Sequence, residues 1–273
     1  MRCPVFAKHA PSESCRWNTR CESAYYPIAG GDRSQPITAP EQWALPMCGR
    51  FSVSLPPDEV ARYFQIRGPL PNFPPRYNLA PTQDAPVVRF NAEEGKRQLD
   101  LLRWGLIPSW AKDPKIGSQC INARAETMAT KPAFKQAFAK GRRCIVPASG
   151  FFEWKKTAAG KQPMYITLKS GAPISFAGLW ENWKDPEGNW LRSFTIITGE
   201  PNELVAPIHN RMPVILRPED YAIWLGEKPS DADGLQAACA PYPAEDMRAC
   251  PISTRVNSPR HDDPSILDEK GAA

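Results

Sequence analysis

Met47-Cys48-Gly49-Arg50-Phe51 could place two nucleophiles on adjacent carbons. Loss of the methionine would leave Cys48 with a free α-amine beside its thiol. An α-amine, with a reference pKa of about 7.7–8.0, is partly neutral near physiological pH and adds to aldehydes. The thiol, at about 8.5, can then close onto the imine carbon and form a five-membered ring. The competing reading is a cysteine buried in an edge strand.

Three further segments are dense in reactive side chains. Ile121-Asn122-Ala123-Arg124-Ala125-Glu126-Thr127 sets an amide, a guanidinium and a carboxylate two residues apart. A strand would turn all three to one face, where Arg124 could grip a phosphate; an Arg–Glu ion pair at a strand end is the alternative. Pro147–Trp154 holds Glu153 among aromatics, where desolvation would raise its pKa and suit it to proton transfer; a solvated edge glutamate competes with that reading. Of the histidines, His9 and His261 lie in the leader and near the tail, and only His209 falls in patterned sequence. It is the acid–base candidate, against an ordinary loop histidine.

These residues need a scaffold, and the pattern is one of short strands. Arg50–Val53, Ala85–Phe90, Gln98–Trp104, Arg143–Val146, Met164–Leu168, Ile174–Leu179 and Phe194–Thr198 read as strands. The pair at 85–104 turns at Asn91–Gly95. Helices are expected at Asp58–Gln65, Lys131–Lys140 and Pro218–Leu225, the last stopped by Gly226. The 31 prolines in 273 residues favour loops and short strands over long helices. The fold class is α+β: a single compact domain around a twisted, barrel-like, mixed or antiparallel sheet with short flanking helices. Residues 1–46 show neither period and read as a disordered leader or mis-assigned upstream sequence. The domain then spans 47–262, with a flexible tail at 263–273.

Charge and cysteine usage narrow the class. A net charge of +5 suits a polyanionic partner without demanding one. None of the eight cysteines forms a C-x-x-C pair, so neither a zinc site nor any other metal or cofactor is expected. No stretch of about 18 apolar residues suggests a membrane span. A reducing, cytoplasmic setting follows.

The motifs MCGRF (47–51), RYNLAPTQ (76–83), RWGLIPSW (103–110), INARAET (121–127), RRCIVPASGFFEWKK (142–156), FTIITGEPN (194–202) and IHNRMPVIL (208–216) occur in one order. Together they resemble the SOS-response-associated peptidase (SRAP) family over about residues 47–260. The resemblance implies an abasic-site processing protein that crosslinks to single-stranded DNA or to single–double-strand junctions. By position, Cys48 would form a thiazolidine with the ring-opened sugar and Asn122 would hold the linkage. Glu153 would assist proton transfer and amino-terminal processing, and His209 would act as acid or base on the sugar. Arg50 and Arg124 would hold the DNA backbone, Thr198 would contact the site, and Trp110 would be a stacking wedge. The family often carries a second aromatic where this chain has Ala111. A monomer associated with the nucleoid or replication fork is expected.

With residues before it attached, the Cys48 nitrogen is an amide and forms no imine. Either Met47 is the initiator, the preferred reading, or the chain cuts itself before Cys48. Two rival functions remain: a peptidase or amidohydrolase of the amino-terminal-nucleophile type, and a non-catalytic nucleic-acid-binding module stacking bases on Trp104, Trp110 and Trp154.

Overall fold

The hairpin at 84–104 illustrates how local chemistry sets the scaffold. Asn91 Oδ1 accepts the backbone N–H groups of Glu93 and Glu94, and Gly95 takes a φ of +63°. The chain therefore reverses where the sequence places its polar turn, and Asp84–Asn91 zips against Lys96–Trp104.

The computed structural model describes residues 48–268; the leader read at 1–46 lies outside them. The strands are β1 (Phe51–Val53), β2 (Arg76–Leu79), β3 (Asp84–Asn91), β4 (Lys96–Trp104), β5 (Asn122–Arg124) and β6 (Arg143–Ala148). They continue as β7 (Gly150–Thr157), β8 (Gly160–Leu168), β9 (Ile174–Lys184), β10 (Trp190–Gly199), β11 (Met212–Pro213) and β12 (Met247–Pro251). The helices are short: α1 (Pro57–Tyr63), α2 (Lys135–Ala139), α3 (Tyr221–Leu225) and α4 (Ala232–Ala237). None of the described helices is long and apolar enough to cross a membrane.

One sheet closes on itself. Strand order runs β10-β4-β3-β6-β9, and β9 pairs back onto β10, so the five strands form a barrel. All contacts in this ring are antiparallel except the β4–β10 seam, which is parallel. β5 and β11 extend β10 beyond that seam. A second, open sheet has the order β12-β8-β7-β1-β2 and is antiparallel throughout. The α+β class and the barrel-like, mixed sheet agree with the sequence reading.

The two sheets share a core built on aromatic edges. Phe51 of β1 meets Trp104 of β4 edge-on at 5.0 Å and Phe176 of β9 at 5.9 Å. Such T-shaped contacts add roughly 0.5–1.5 kcal/mol each beyond area burial. Trp104 is fully buried, so it is no stacking surface for bases. Its indole N–H instead donates to Ile121 O at 3.0 Å and holds the start of β5.

Several boundaries differ from the sequence expectation. The helix expected at 131–140 is a turn on Lys131 O followed by α2, because Pro132 interrupts the helical donors. β8 begins at Gly160 rather than 164, since its polar first half pairs with β7 by backbone register and carries no apolar alternation. Of the tail read at 263–273, residues 269–273 lie outside the described residues and the start is packed: Asp263 caps a 3-10 turn at Pro264–Leu267, and Ile266 is buried with Phe152, Ile252 and Val256.

Gly178 of β9 lies at the closest approach inside the ring, hydrogen-bonded strands flanking it on both sides. A Cβ there would stand 2.9 Å from Thr195 O and 2.8 Å from Cys144 Sγ. Gly178→Ala should therefore destabilise the fold by about 1–3 kcal/mol, the usual range for overpacking. Urea unfolding checks this, and an unchanged midpoint would contradict the barrel packing.

Candidate active site

The turn before β1 delivers Cys48 to a carboxylate far along the chain. Cys48 takes φ +47°, a left-handed conformation uncommon outside glycine. Its backbone N–H donates to Glu153 Oε1 at 2.8 Å, and its buried thiol bonds the same carboxyl group. Glu153 sits in the middle of β7, 4% exposed, with β1 pairing alongside at Phe51 and Ser52.

Burial dominates the electrostatics of this pair. It pushes the Glu153 carboxyl up to about 7, although the Cys48 N–H and thiol and the Trp154 N–H stabilise the ionised form. It also pushes the Cys48 thiol well above its ordinary value, with the Glu153 charge adding to the effect. Near neutrality the pair holds a protonated thiol beside a carboxyl group poised between its two states. Such a pair has the hydrogen bonds and the near-neutral carboxyl that proton transfer at the sulfur would need.

A second cluster lies where β5, β10 and β11 meet. β5 runs parallel to β10, with Asn122 opposite Ile196 and Arg124 opposite Thr198. Alternation along this segment buries Ala123 and Ala125 and exposes Arg124 and Glu126. The ion pair, however, is not local. Glu126 takes both ends of the Arg211 guanidinium, at 2.5 and 2.9 Å, and Arg211 also donates to Thr198 O at 2.6 Å. The Arg211 partner holds the Glu126 carboxyl below its ordinary range.

Arg211 also organises His209. Its amide N–H donates to His209 Nδ1 at 3.1 Å. Burial, chiefly, lowers the imidazole pKa, and the Lys156 charge works in the same direction. The lowered pKa favours the neutral ring near pH 7, and Nδ1 faces both the Arg211 N–H and, at 3.3 Å, the Arg211 carbonyl oxygen. Lys156 belongs to β7, the strand that carries Glu153 three residues earlier. Arg211 is a functional candidate that sequence spacing missed, because its pairing with Glu126 spans 85 positions.

The remaining candidates fall into two groups. Trp110 is 54% exposed and Arg124 is exposed, so both present surface to a ligand. Arg50 is half-buried, and its guanidinium is spent on Asn78 Oδ1, Val256 O and Asn257 O. It pins residues 256–257 over the open sheet. Thr198 is fully buried, and its hydroxyl faces Ala123 O at 3.4 Å, so it touches no ligand directly. Its carbonyl, which anchors Arg211, is what links it to the site.

The family model for SOS response associated peptidase (SRAP) matches residues 47–259. The chain belongs to the SRAP family. Among SRAP relatives, it is 46% identical over 225 residues to the abasic site processing protein YoqW of Bacillus subtilis, covering 81% of this chain and 99% of that one. It is 33% identical over 264 residues to the abasic site processing protein HMCES of Xenopus tropicalis, covering 81% and 78%. A crystal structure of a protein from Bacteroides thetaiotaomicron superimposes with a TM-score of 0.73 at 29% identity, covering 82% of this chain and all of that one.

The raised Glu153 pKa makes a stability prediction. The unfolded carboxyl releases its proton near 4.5, while the native one keeps it to about 7. Native stability should therefore be greatest below pH 4.5 as far as this group is concerned. It should fall across that window by on the order of 3 kcal/mol. Glu153→Gln, which still accepts the Cys48 N–H, should flatten the pH 5–7 part of the profile. Thermal melts at half-unit pH steps would detect an unflattened profile and so refute the assignment.

Proposed function

We propose that this SRAP protein processes abasic sites by bonding covalently to them in single-stranded DNA through Cys48, once Cys48 is the first residue. The observation that carries the reading is the Glu153 carboxyl on the Cys48 nitrogen at 2.8 Å. The names of the relatives YoqW and HMCES, both abasic site processing proteins, support the substrate class.

The chemistry needs little else. The Cys48 amine adds to the C1′ aldehyde of the ring-opened sugar, and the carbinolamine loses water to give an imine. The thiol then adds to the imine carbon, its proton passes to nitrogen, and a thiazolidine results. One C–N and one C–S bond form, and one water leaves. Glu153 in its acid form protonates the departing hydroxyl; as carboxylate it takes the thiol proton. A pKa near 7 serves both directions. Asn122 steadies the linkage, and His209 acts as acid or base on the opening sugar. Arg124 grips a phosphate and Trp110 stacks on a base beside the site.

Removal of whatever precedes Cys48 belongs to the same proposal, by initiation at Met47 and loss of methionine or by a single cut in which Glu153 moves the protons. A repeated peptidase activity on added peptides is the weaker reading, because the reactive pair is buried and takes up its own chain.

Two chains, one starting at Met1 and one at Met47, are each mixed with an oligonucleotide bearing one abasic site and run on a denaturing gel. A shifted band is expected from the Met47 chain and should vanish in Cys48→Ala. A band from both chains means that the long one processes itself; no band from either ends the proposal. Salt separates encounter from bond. Arg124→Ala should slow crosslinking at low salt and reduce the salt dependence of its rate, while the finished adduct survives high salt in both proteins. Equal salt slopes for the two would remove Arg124 from the DNA contact.

A further inference from the structure

The barrel has one weak seam. β4 pairs with β3 over its whole length on one edge, but meets β10 only at Arg103 and Trp104 on the other. Below that point the strands splay. Among the described residues, Lys96–Leu102 of β4 and Trp190–Arg192 of β10 have no strand partner on the sides that face each other. Two adjoining clefts, of about 700 and 450 Å³, open along this gap and share Leu101.

The surface of the gap is unusual for an open strand edge. Edges are normally blunted with charge or proline, because unpaired N–H and C=O groups template pairing. Here three of the four exposed large apolar side chains among the described residues, Leu70, Leu101 and Trp190, line the two clefts. The rim is basic. Arg67, Lys96, Arg103 and Arg192 face Asp84, Glu94 and Asp100, and Lys184 lies over the Trp190 ring at 5.4 Å. Two of the three carboxylates are already engaged, Glu94 by Lys96 and Asp100 by Arg89 and Arg192.

We infer that this seam is a docking groove for an extended peptide of a partner protein, one alternating apolar and acidic side chains, which adds as a strand along β4. Main-chain hydrogen bonds to the β4 edge would supply affinity, and alternate side chains specificity. Apolar residues would rest on Leu70, Leu101 and Trp190, and acidic ones would meet Arg67 and Arg103, which have no ion-pair partner among the described residues. A nucleic acid strand would use Trp190 and the arginines but neither the leucines nor the backbone edge. A peptide fits more of the surface.

The groove's place in the molecule gives it a use, which rests on the crosslinking proposal. Trp190 and Thr198 are at opposite ends of β10, eight residues or roughly 26 Å apart at the usual strand rise. A protein holding DNA at the Asn122–Arg124 strand, which pairs with β10 at Ile196–Thr198, would keep this far surface uncovered. A partner could then recognise the adduct without displacing the DNA.

The test uses a fluorescein-labelled decapeptide alternating leucine and aspartate, titrated with the full chain by fluorescence polarisation in the absence of DNA. Saturable binding is expected. It should weaken at least tenfold with Trp190→Ala, with Leu101→Asp, with lysine replacing aspartate in the peptide, and with N-methylation of alternate peptide amides. Both substituted side chains are exposed, so the variants should melt like the parent and crosslink abasic DNA at the parental rate. No saturable binding, or binding indifferent to both substitutions or to N-methylation, overturns the proposal. Displacement of the peptide by an intact single-stranded oligonucleotide overturns it in favour of nucleic acid. Dimers in sedimentation that Leu101→Asp dissolves overturn it in favour of a second copy. The assay contains no abasic site, so its failure leaves the crosslinking proposal standing, and the reverse.

Discussion

A buried carboxyl group held against a backbone nitrogen organises this molecule. Glu153 has almost no access to water, and its hydrogen bonds come largely from Cys48, 105 residues earlier. To keep that contact, β1 must lie beside β7, and the turn at Cys48 must adopt a left-handed φ. The open sheet is arranged around that requirement. Its strand β1 then carries Phe51 into the edge-on contact with Trp104 that joins the open sheet to the barrel. A group whose burial destabilises its charged form is retained at the centre of the site. Stability is given up there as pH rises, and the group titrates near 7.

The barrel's contribution is rigidity at a distance. β10 is paired in turn to β4, β5, β9 and β11, and the Thr198 carbonyl is held by the Ala125 N–H and the Arg211 guanidinium. Arg211 hangs from that carbonyl, Glu126 fixes the other side of its guanidinium, and its backbone meets His209 Nδ1. Each member is ordinary alone. In series they orient an imidazole that sits in a loop without regular structure. The same strand, at its other end, leaves the seam with β4 unclosed. Closure and opening are thus two ends of one element.

Much of this architecture was legible in the sequence. Apolar, β-prone runs marked β3, β4, β6, β9 and β10, and in all but β4 consecutive positions are buried. Asn91–Gly95 and Gly226 announced a turn and a helix stop through side-chain capping and positive φ. Glu153 among aromatics foretold a desolvated carboxyl, and the order of motifs pointed to the SRAP family. β12 and the first half of β8 were not legible, since they pair by backbone hydrogen bonds and carry polar or irregular side chains.

What the sequence by itself determined were the residue types that could react, the class of the fold and the family. Those depend on local composition, period and motif order, all of which are properties of neighbouring positions. Only the tertiary structure decided which groups touch. It gave Glu126 to Arg211 rather than to Arg124, tied Arg50 to Asn78 and residues 256–257, and buried Thr198 and Trp104. It also packed Ile266 into the domain and left the β4–β10 seam open. Each of these outcomes joins residues tens to hundreds of positions apart. Packing the two sheets together selects them, and spacing along the chain carries no record of that selection.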